Sequence, residues 1–266
     1  MRYTWDNDLH IHSSLSLCAK HPEQTAERIL KYAKENNLKT VCVTDHCWDG
    51  DVPASPEAPW YRIQNFDYVS SIKPLPQCDG IKFFFGVETE IDKEMNLGLS
   101  RDKFDKLDFI IIPTTHLHEK FTIKEEQKTI KGRMECWINR FDFILNQDLP
   151  FNKVGLAHPT CSLLASSREE LLEIIDNLPE DTLKRLFHRA AKVGMGIEIN
   201  KDDMNFADNE AVILLRPYKI AKQEGCKFYM GSDAHTPDGF NRCDYYFNRA
   251  IDYLGLTEED KFYICK

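Results

Sequence analysis

The sequence gathers its histidines and acids in short groups: Asp8-Leu9-His10-Ile11-His12, Thr44-Asp45-His46, Gly86-Val87-Glu88-Thr89-Glu90, Thr115-His116-Leu117-His118, His158-Pro159 and Ser232-Asp233-Ala234-His235. Residues two apart on an extended strand share a side. His10 and His12 can therefore grip one ion together, and Asp233 and His235 can contribute to the same pocket. Imidazole combined with carboxylate suits Zn, Mn or Fe and not Ca. A carboxylate such as Glu88 can bridge two ions, the arrangement used for in-line displacement at phosphorus. Taken singly, each group is weak. An isolated His-x-His is more often a surface or satisfied core pair, Asp45 alone would serve as a helix N-cap, and His158-Pro159 alone would be a turn. Joint placement carries the weight. Of nine histidines, only His188 sits within a clear helical pattern, His21 lies just before the first helix, and the other seven fall at the ends of strand-like runs.

The elements that must position these groups follow from periodicity. Short apolar runs rich in Val, Ile and Phe occupy 3–12, 40–45, 82–90, 109–116, 153–158, 194–200 and 227–232. Between them lie helical patterns at 23–36, 125–145, 168–193 with a possible break at Pro179, 209–224 and 241–254. In the first, Ala26, Ile29, Leu30 and Ala33 build one apolar face. The segment 49–59 is proline-rich and reads as a loop. Alternating strands and helices imply a parallel sheet with crossover connections, and seven such units suggest a closed barrel, with an open doubly wound sheet as the structural alternative. In a barrel all strand carboxyl ends open on one face, so the chemical groups converge there. No GxGxxG or GxxxxGK[ST] loop follows any strand, which disfavours a nucleotide-binding Rossmann or P-loop protein.

The chain has 266 residues, 42% hydrophobic and 29% charged, ordinary for a soluble globular protein. No apolar run is long enough to span a bilayer, and the start MRYTWDND lacks the apolar core of a signal peptide. The expected location is cytoplasmic. Nine scattered cysteines without a CxxC pair read as reduced thiols. The formal charge of −9 argues against non-specific nucleic-acid binding. It is compatible with a phosphorylated substrate, since bound metal ions would supply local positive charge.

Taken in order, HxH, TDH, GxE, a histidine after the fourth strand, HP and DxH resemble the PHP family, the polymerase and histidinol phosphatase domain, over essentially the whole chain. The resemblance implies one domain over 1–266, a distorted seven-stranded (β/α) barrel, three divalent metal ions (Zn, Mn or Fe) and cleavage of phosphoester bonds. It implies a first ion held by His10, His12, Glu88 and Asp233, and a second by Glu88, His116 and His158. A third would take His46, His235 and a histidine from the loop after His12, for which His21 is the choice and Cys18, as a thiolate, the alternative. His118 shares a face with His116 and is a ligand, substrate contact or outer partner. Glu88 takes the bridging place, leaving Glu90 to salt-bridge the barrel wall.

The expected reaction is hydrolysis of a small phosphomonoester, histidinol phosphate first among candidates, with Glu88 in the centre and Asp233 or His235 moving a proton to the leaving alkoxide. Arg62, Lys120, Lys201 and Arg242, each on a loop after a strand, are candidate phosphate clamps. Asn200 and His118 are candidate substrate contacts, and the loop 48–61 a candidate pocket wall. The alternatives are a nucleotide or oligonucleotide phosphodiesterase or exonuclease of the same family, which would need a basic track that the sequence lacks, and a catalytically silent binding module, which would be expected to lose several of these groups. Amidohydrolases share a related barrel and HxH, but usually use a different ligand set.

Overall fold

A computed structural model describes residues 1–19, 21–53 and 59–264. Seven strands, β1 (Asn7–Ile11), β2 (Thr40–Cys47), β3 (Lys82–Thr89), β4 (Phe109–Pro113), β5 (Val154–Ala157), β6 (Gly196–Asn200) and β7 (Lys227–Gly231), pair in sequence order, each parallel to the next. The helices are α1 (Ala26–Glu35), α2 (Pro59–Ile63), α3 (Phe66–Ser70), α4 (Ile130–Leu145), α5 (Arg168–Asn177), α6 (Glu180–Val193), α7 (Ala211–Leu214), α8 (Arg216–Gln223) and α9 (Cys243–Leu254). The strands are buried on both faces, as a parallel sheet under crossover helices requires; β4, FIIIP, is buried throughout.

The barrel is the expected one, closed between β7 and β1 partly by side chains. Asn7 Oδ1 accepts from Met230 N at 3.0 Å and Asp8 Oδ1 accepts from Ser232 N at 3.0 Å. Main chain takes over above them, Asp233 N donating to His10 O at 2.8 Å and His12 N to Ala234 O at 3.2 Å. Inside the barrel, Leu9, Cys42, Phe109, Ile111, Ala157 and Tyr229 pack with Phe262, which plugs the interior from the C-terminal segment. The larger cluster lies between the strands and the helices.

Helix boundaries follow local chemistry. Thr25 caps α1, its side chain accepting from Arg28 N, and Ala26, Ile29, Leu30 and Ala33 are buried as the periodicity predicts. The break at Pro179 is real and separates α5 from α6, and Gly194 ends α6 at φ 82°, a left-handed conformation that suits glycine. The expected continuous helix over 209–224 is instead divided into a 3-10 turn, α7 and α8, with Pro217 in the first turn of α8, where its missing N–H costs nothing. The short helices α2 and α3 lie in a stretch that has no long apolar period to announce them. Among the described residues, no helix is long and apolar enough to cross a membrane.

Candidate metal centre

The expected groups converge at the carboxyl ends of the strands. On β2, β3, β6 and β7 the inward parity is regular: Cys42, Thr44 and His46; Gly86, Glu88 and Glu90; Gly196, Glu198 and Asn200; Tyr229, Gly231 and Asp233. β1 reaches the same face by an irregularity. Asp8 pairs with Val41 and Ile11 with Val43, three steps against two, so one extra residue is inserted. This bulge lets Leu9 sit in the barrel interior while His10 and His12 turn towards the centre above it.

Glu88 lies in the middle. Its Oε2 is 3.5 Å from His10 Nε2, 3.4 Å from His12 Nε2 and 3.0 Å from His46 Nδ1. Its Oε1 is 3.0 Å from His158 Nε2 and 3.8 Å from His116 Nε2. The two oxygens therefore serve different sets of imidazoles. Asp233 Oδ1 lies 3.3 Å from His10 Nε2 and 3.0 Å from His12 Nε2. Around Glu88, among the described residues, four groups have ligand atoms close enough to share an ion: His10, His12 and Asp233; His10, Glu88 and His158; Glu88, Glu90 and His116; His12, His46 and His235.

The rings are aimed from behind. His10 Nδ1 faces both oxygens of Glu198, at 3.0 and 3.1 Å, and His116 Nδ1 is hydrogen-bonded to Glu90 Oε1. Ser16 Oγ donates to Asp45 Oδ1 at 2.7 Å, so it accepts from His12 Nδ1 at 3.0 Å. Thr115 Oγ1 meets His158 Nδ1 at 2.9 Å, and His235 Nδ1 donates to the Asp233 carbonyl at 2.7 Å. With Nδ1–H committed outwards, the Nε2 atoms of His10, His12, His116 and His158 face Glu88 and are the nitrogens left to ligate an ion once they give up their protons. His46 is turned the other way. Its Nδ1 faces both Glu88 and the Tyr61 hydroxyl, the latter at 3.0 Å.

The electrostatics fit a cation. Burial alone would raise the Glu88 carboxyl, but the histidines around it, His46 foremost, hold it well below its usual range. Burial would lower His10, yet Glu198, Asp233 and Glu88 raise it well above an ordinary imidazole. His158 opposes burial through its bond to Glu88 and titrates at about 9. His235 opposes burial through Cys18 and Asp233 and also reaches about 9. Asp233 Oδ1 and Glu90 Oε2 are buried oxygens without a hydrogen-bond donor among the described residues. Imidazole nitrogens and carboxylate oxygens crowded at these distances are a donor set for divalent metal, and the residues present fit a metal centre.

Ions and protons compete for the same imidazoles. Raised pKa values mean that His158 and His235 carry protons at neutral pH in the metal-free protein. Metal loading near pH 7 is expected to release protons, with affinity rising as the pH approaches about 9. Calorimetry in buffers of different ionisation enthalpy reads this directly; loading without proton release would contradict the assignment of these two histidines.

Several expectations need correction. His21 does not join the cluster. It is exposed and its Nδ1 accepts from Glu23 N at 3.3 Å, just ahead of α1. Cys18, the alternative, lines the pocket with His235 and His46. Partial shielding raises its thiol, but these histidines lower it further, to about 5. Glu90 orients His116 and does not merely brace the wall. Asp45 is not a helix cap: it accepts from Ser13 N at 2.7 Å and from both the Ser13 and Ser16 hydroxyls, pinning the loop after β1. Asn200 is buried, its Nδ2 donating to Glu198 Oε1 at 2.9 Å and its Oδ1 accepting from Asp202 N at 2.8 Å, so it supports Glu198. Lys201 Nζ is turned to the Gly239 carbonyl at 2.6 Å.

The pocket over the centre has a volume of about 190 Å³, with Tyr61, Phe121 and Leu163 as apolar walls. No Lys or Arg lines it among the described residues, so Arg62, Lys120 and Arg242 do not take the clamp positions expected of them. Arg242 instead lies over the rings of Tyr245 and Tyr246. His118 does line the pocket, and burial with the neighbouring His116 lowers it to about 4, leaving it neutral at physiological pH. Of the loop 48–61, Tyr61 reaches the pocket and Trp48 packs behind it, while 54–58 lie outside the described residues. Glu198, Ser16 and Thr115 are the positioning residues that sequence reasoning missed. A larger cavity of about 470 Å³ lies at the opposite barrel end, near Lys39, Lys82 and Phe84, away from the metal-ligating groups.

A model of the PHP domain matches residues 8–202. A probable phosphatase of Caldicellulosiruptor saccharolyticus is 25% identical over 238 residues, spanning 89% of this chain and 83% of the relative. Another, of a Thermoanaerobacter species, is 24% identical over 257 residues, spanning 95% and 87%. The histidinol phosphate phosphatase of Lactococcus lactis, solved with zinc, L-histidinol and phosphate, matches with a TM-score of 0.59 at 17% identity over 95% of this chain and 94% of that one. The putative histidinol phosphatase of Listeria monocytogenes gives 0.60 at 12% identity over 89% and 97%. At such identities these structures speak for the fold.

Proposed function

Because this chain belongs to the PHP domain family, we propose that it is a metal-dependent phosphatase acting on a small phosphomonoester, with histidinol phosphate the leading candidate. The observation that carries the reading is Glu88, whose two oxygens face separate imidazole sets in a small pocket at the strand ends. Divalent ions held there by His10, His12, Glu88, Asp233, His116, His158, His46 and His235 would supply Lewis acidity and lower the pKa of water. The chain's own groups do the rest. Glu198, Glu90, Ser16 and Thr115 fix the imidazoles before substrate arrives, so no reorganisation is needed during reaction. His235, with a side chain one-third exposed and its Nδ1 tied to the Asp233 carbonyl, would spend its other nitrogen on the ion, so a leaving alkoxide would take its proton from water in the pocket. Neutral His118 offers the phosphate a hydrogen bond without adding a cation.

The pocket's size and its lack of Lys and Arg among the described residues weigh against an oligonucleotide, whose backbone calls for a basic track. Relatives carrying the name phosphatase, and a histidinol phosphate phosphatase of the same fold, favour the monoester. Protein loaded with Mn or Zn is expected to release phosphate from histidinol phosphate much faster than from a generic aryl phosphate. Turnover of other monoesters alone would refute the substrate and leave the reaction class standing. Cleavage of oligonucleotides alone would overturn the monoesterase reading.

A further inference from the structure

His46 and His235 meet His12 within reach of one ion, yet Glu88 and Asp233 are shared with the other groups, and among the described residues this position has no acidic residue of its own. The residue beside it that could complete its circle is Cys18, which lines the same pocket as His46 and His235. The loop that carries it is firmly held. Ser13 and Ser16 are buried and bonded to Asp45, Leu17 N donates to Gln64 Oε1 at 2.8 Å, Ala19 is fully buried, and Gln24 Nε2 donates to the His12 and Ala234 carbonyls at 2.9 and 3.1 Å. Cys18 is thus presented by a structured turn and not by a loose end.

Resting on the reading of this cluster as a phosphatase metal centre, we propose that Cys18 is a thiolate ligand that, with His46 and His235, makes one position of the centre a mixed nitrogen–sulfur site. The other positions offer only imidazole and carboxylate. Soft sulfur selects zinc-like ions, whereas imidazole with carboxylate also accepts Mn or Fe. The centre therefore discriminates among metals position by position, and its sulfur-lined corner prefers the softer ion. Cys18 is also the one exposed thiol among the described cysteines; Cys42, Cys47, Cys136, Cys226 and Cys243 are buried, and Cys78 and Cys161 are intermediate.

Cobalt provides the test. Metal-free full-length protein reloaded with Co²⁺ is expected to show a sulfur-to-cobalt charge-transfer band in the near ultraviolet. Cys18→Ala and Cys18→Ser should both lose the band and one bound equivalent, while Cys18→His should lose the band and keep the equivalent. Alkylation of Cys18 by iodoacetamide, followed by mass spectrometry, should be blocked by prior metal loading. Circular dichroism checks that each variant is folded. A wild-type spectrum without the band, a band that survives in both Cys18→Ala and Cys18→Ser, or alkylation unaffected by metal would each overturn the proposal. The spectrum reports ligation whether or not any ester is hydrolysed, so failure on every phosphate substrate would sink the functional reading and leave this one to be judged on its own.

Discussion

Replacing Glu88 by Gln is expected to lower phosphatase turnover by roughly three orders of magnitude, on the order of 4 kcal/mol of lost transition-state stabilisation, with near-total loss of bound metal. The substitution keeps the volume and one carbonyl oxygen. It removes the negative charge that two sets of imidazoles share, His10, His12 and His46 on one side and His116 and His158 on the other. An amide nitrogen cannot ligate a divalent ion as a carboxylate oxygen does, so whichever way the amide turns, one set loses its bridge. The barrel core does not depend on this side chain: Leu9, Cys42, Phe109, Ile111 and Tyr229 pack below it. Cooperative unfolding should therefore persist. Steady-state kinetics, metal analysis and a thermal melt distinguish the cases. Turnover within tenfold of wild type, in protein with full metal content, would remove Glu88 from the centre.

The convergence of the imidazole and carboxylate groups was legible because a parallel barrel opens all its strand ends on one face, so a residue's place at a strand end fixes its destination. Parity supplied Glu88 with Glu90 and Asp233 near His235. What parity cannot supply is a loop's path. His21 and Cys18 are three residues apart in the same turn-rich stretch, and only the buried Ser13–Ser16–Asp45 network decides that the thiol points inwards and the imidazole outwards. The bulge in β1 is equally silent in the sequence, although it is what brings both His10 and His12 to the centre. The cations failed for a third reason. Loop position after a strand places a backbone, but a long side chain such as Arg242 can turn back over its own helix, and here it covers Tyr245 and Tyr246. Glu198 did leave a signal: an acid at an inward position between the apolar residues Ile197 and Ile199, which has no reason to be buried unless something needs its charge.

That charge is the basis of the second large effect expected. Glu198 is fully buried, and three donors converge on it: His10 Nδ1, Asn200 Nδ2 at 2.9 Å and His158 N at 3.0 Å. Glu198→Gln places an NH₂ group where only acceptors are wanted, so at least one donor is left unpaired in the interior, a cost of about 1–3 kcal/mol in stability. His10 also loses the carboxylate that fixes its tautomer and strengthens it as a ligand, and metal affinity is expected to fall about 10–100-fold. Gly231 tests the same pair from the other side without replacing a ligand. A Cβ at this position would collide with Glu198 Oε1 and approach His10 Cβ to 2.8 Å, so Gly231→Ala should displace the pair and weaken metal binding in the same way. The two changes act on one contact, so their effects on affinity should fall well short of adding in the double variant. Chelator competition measures each dissociation constant. Affinity unchanged in Glu198→Gln, or full additivity in the double variant, would show that His10 is aimed by something other than Glu198.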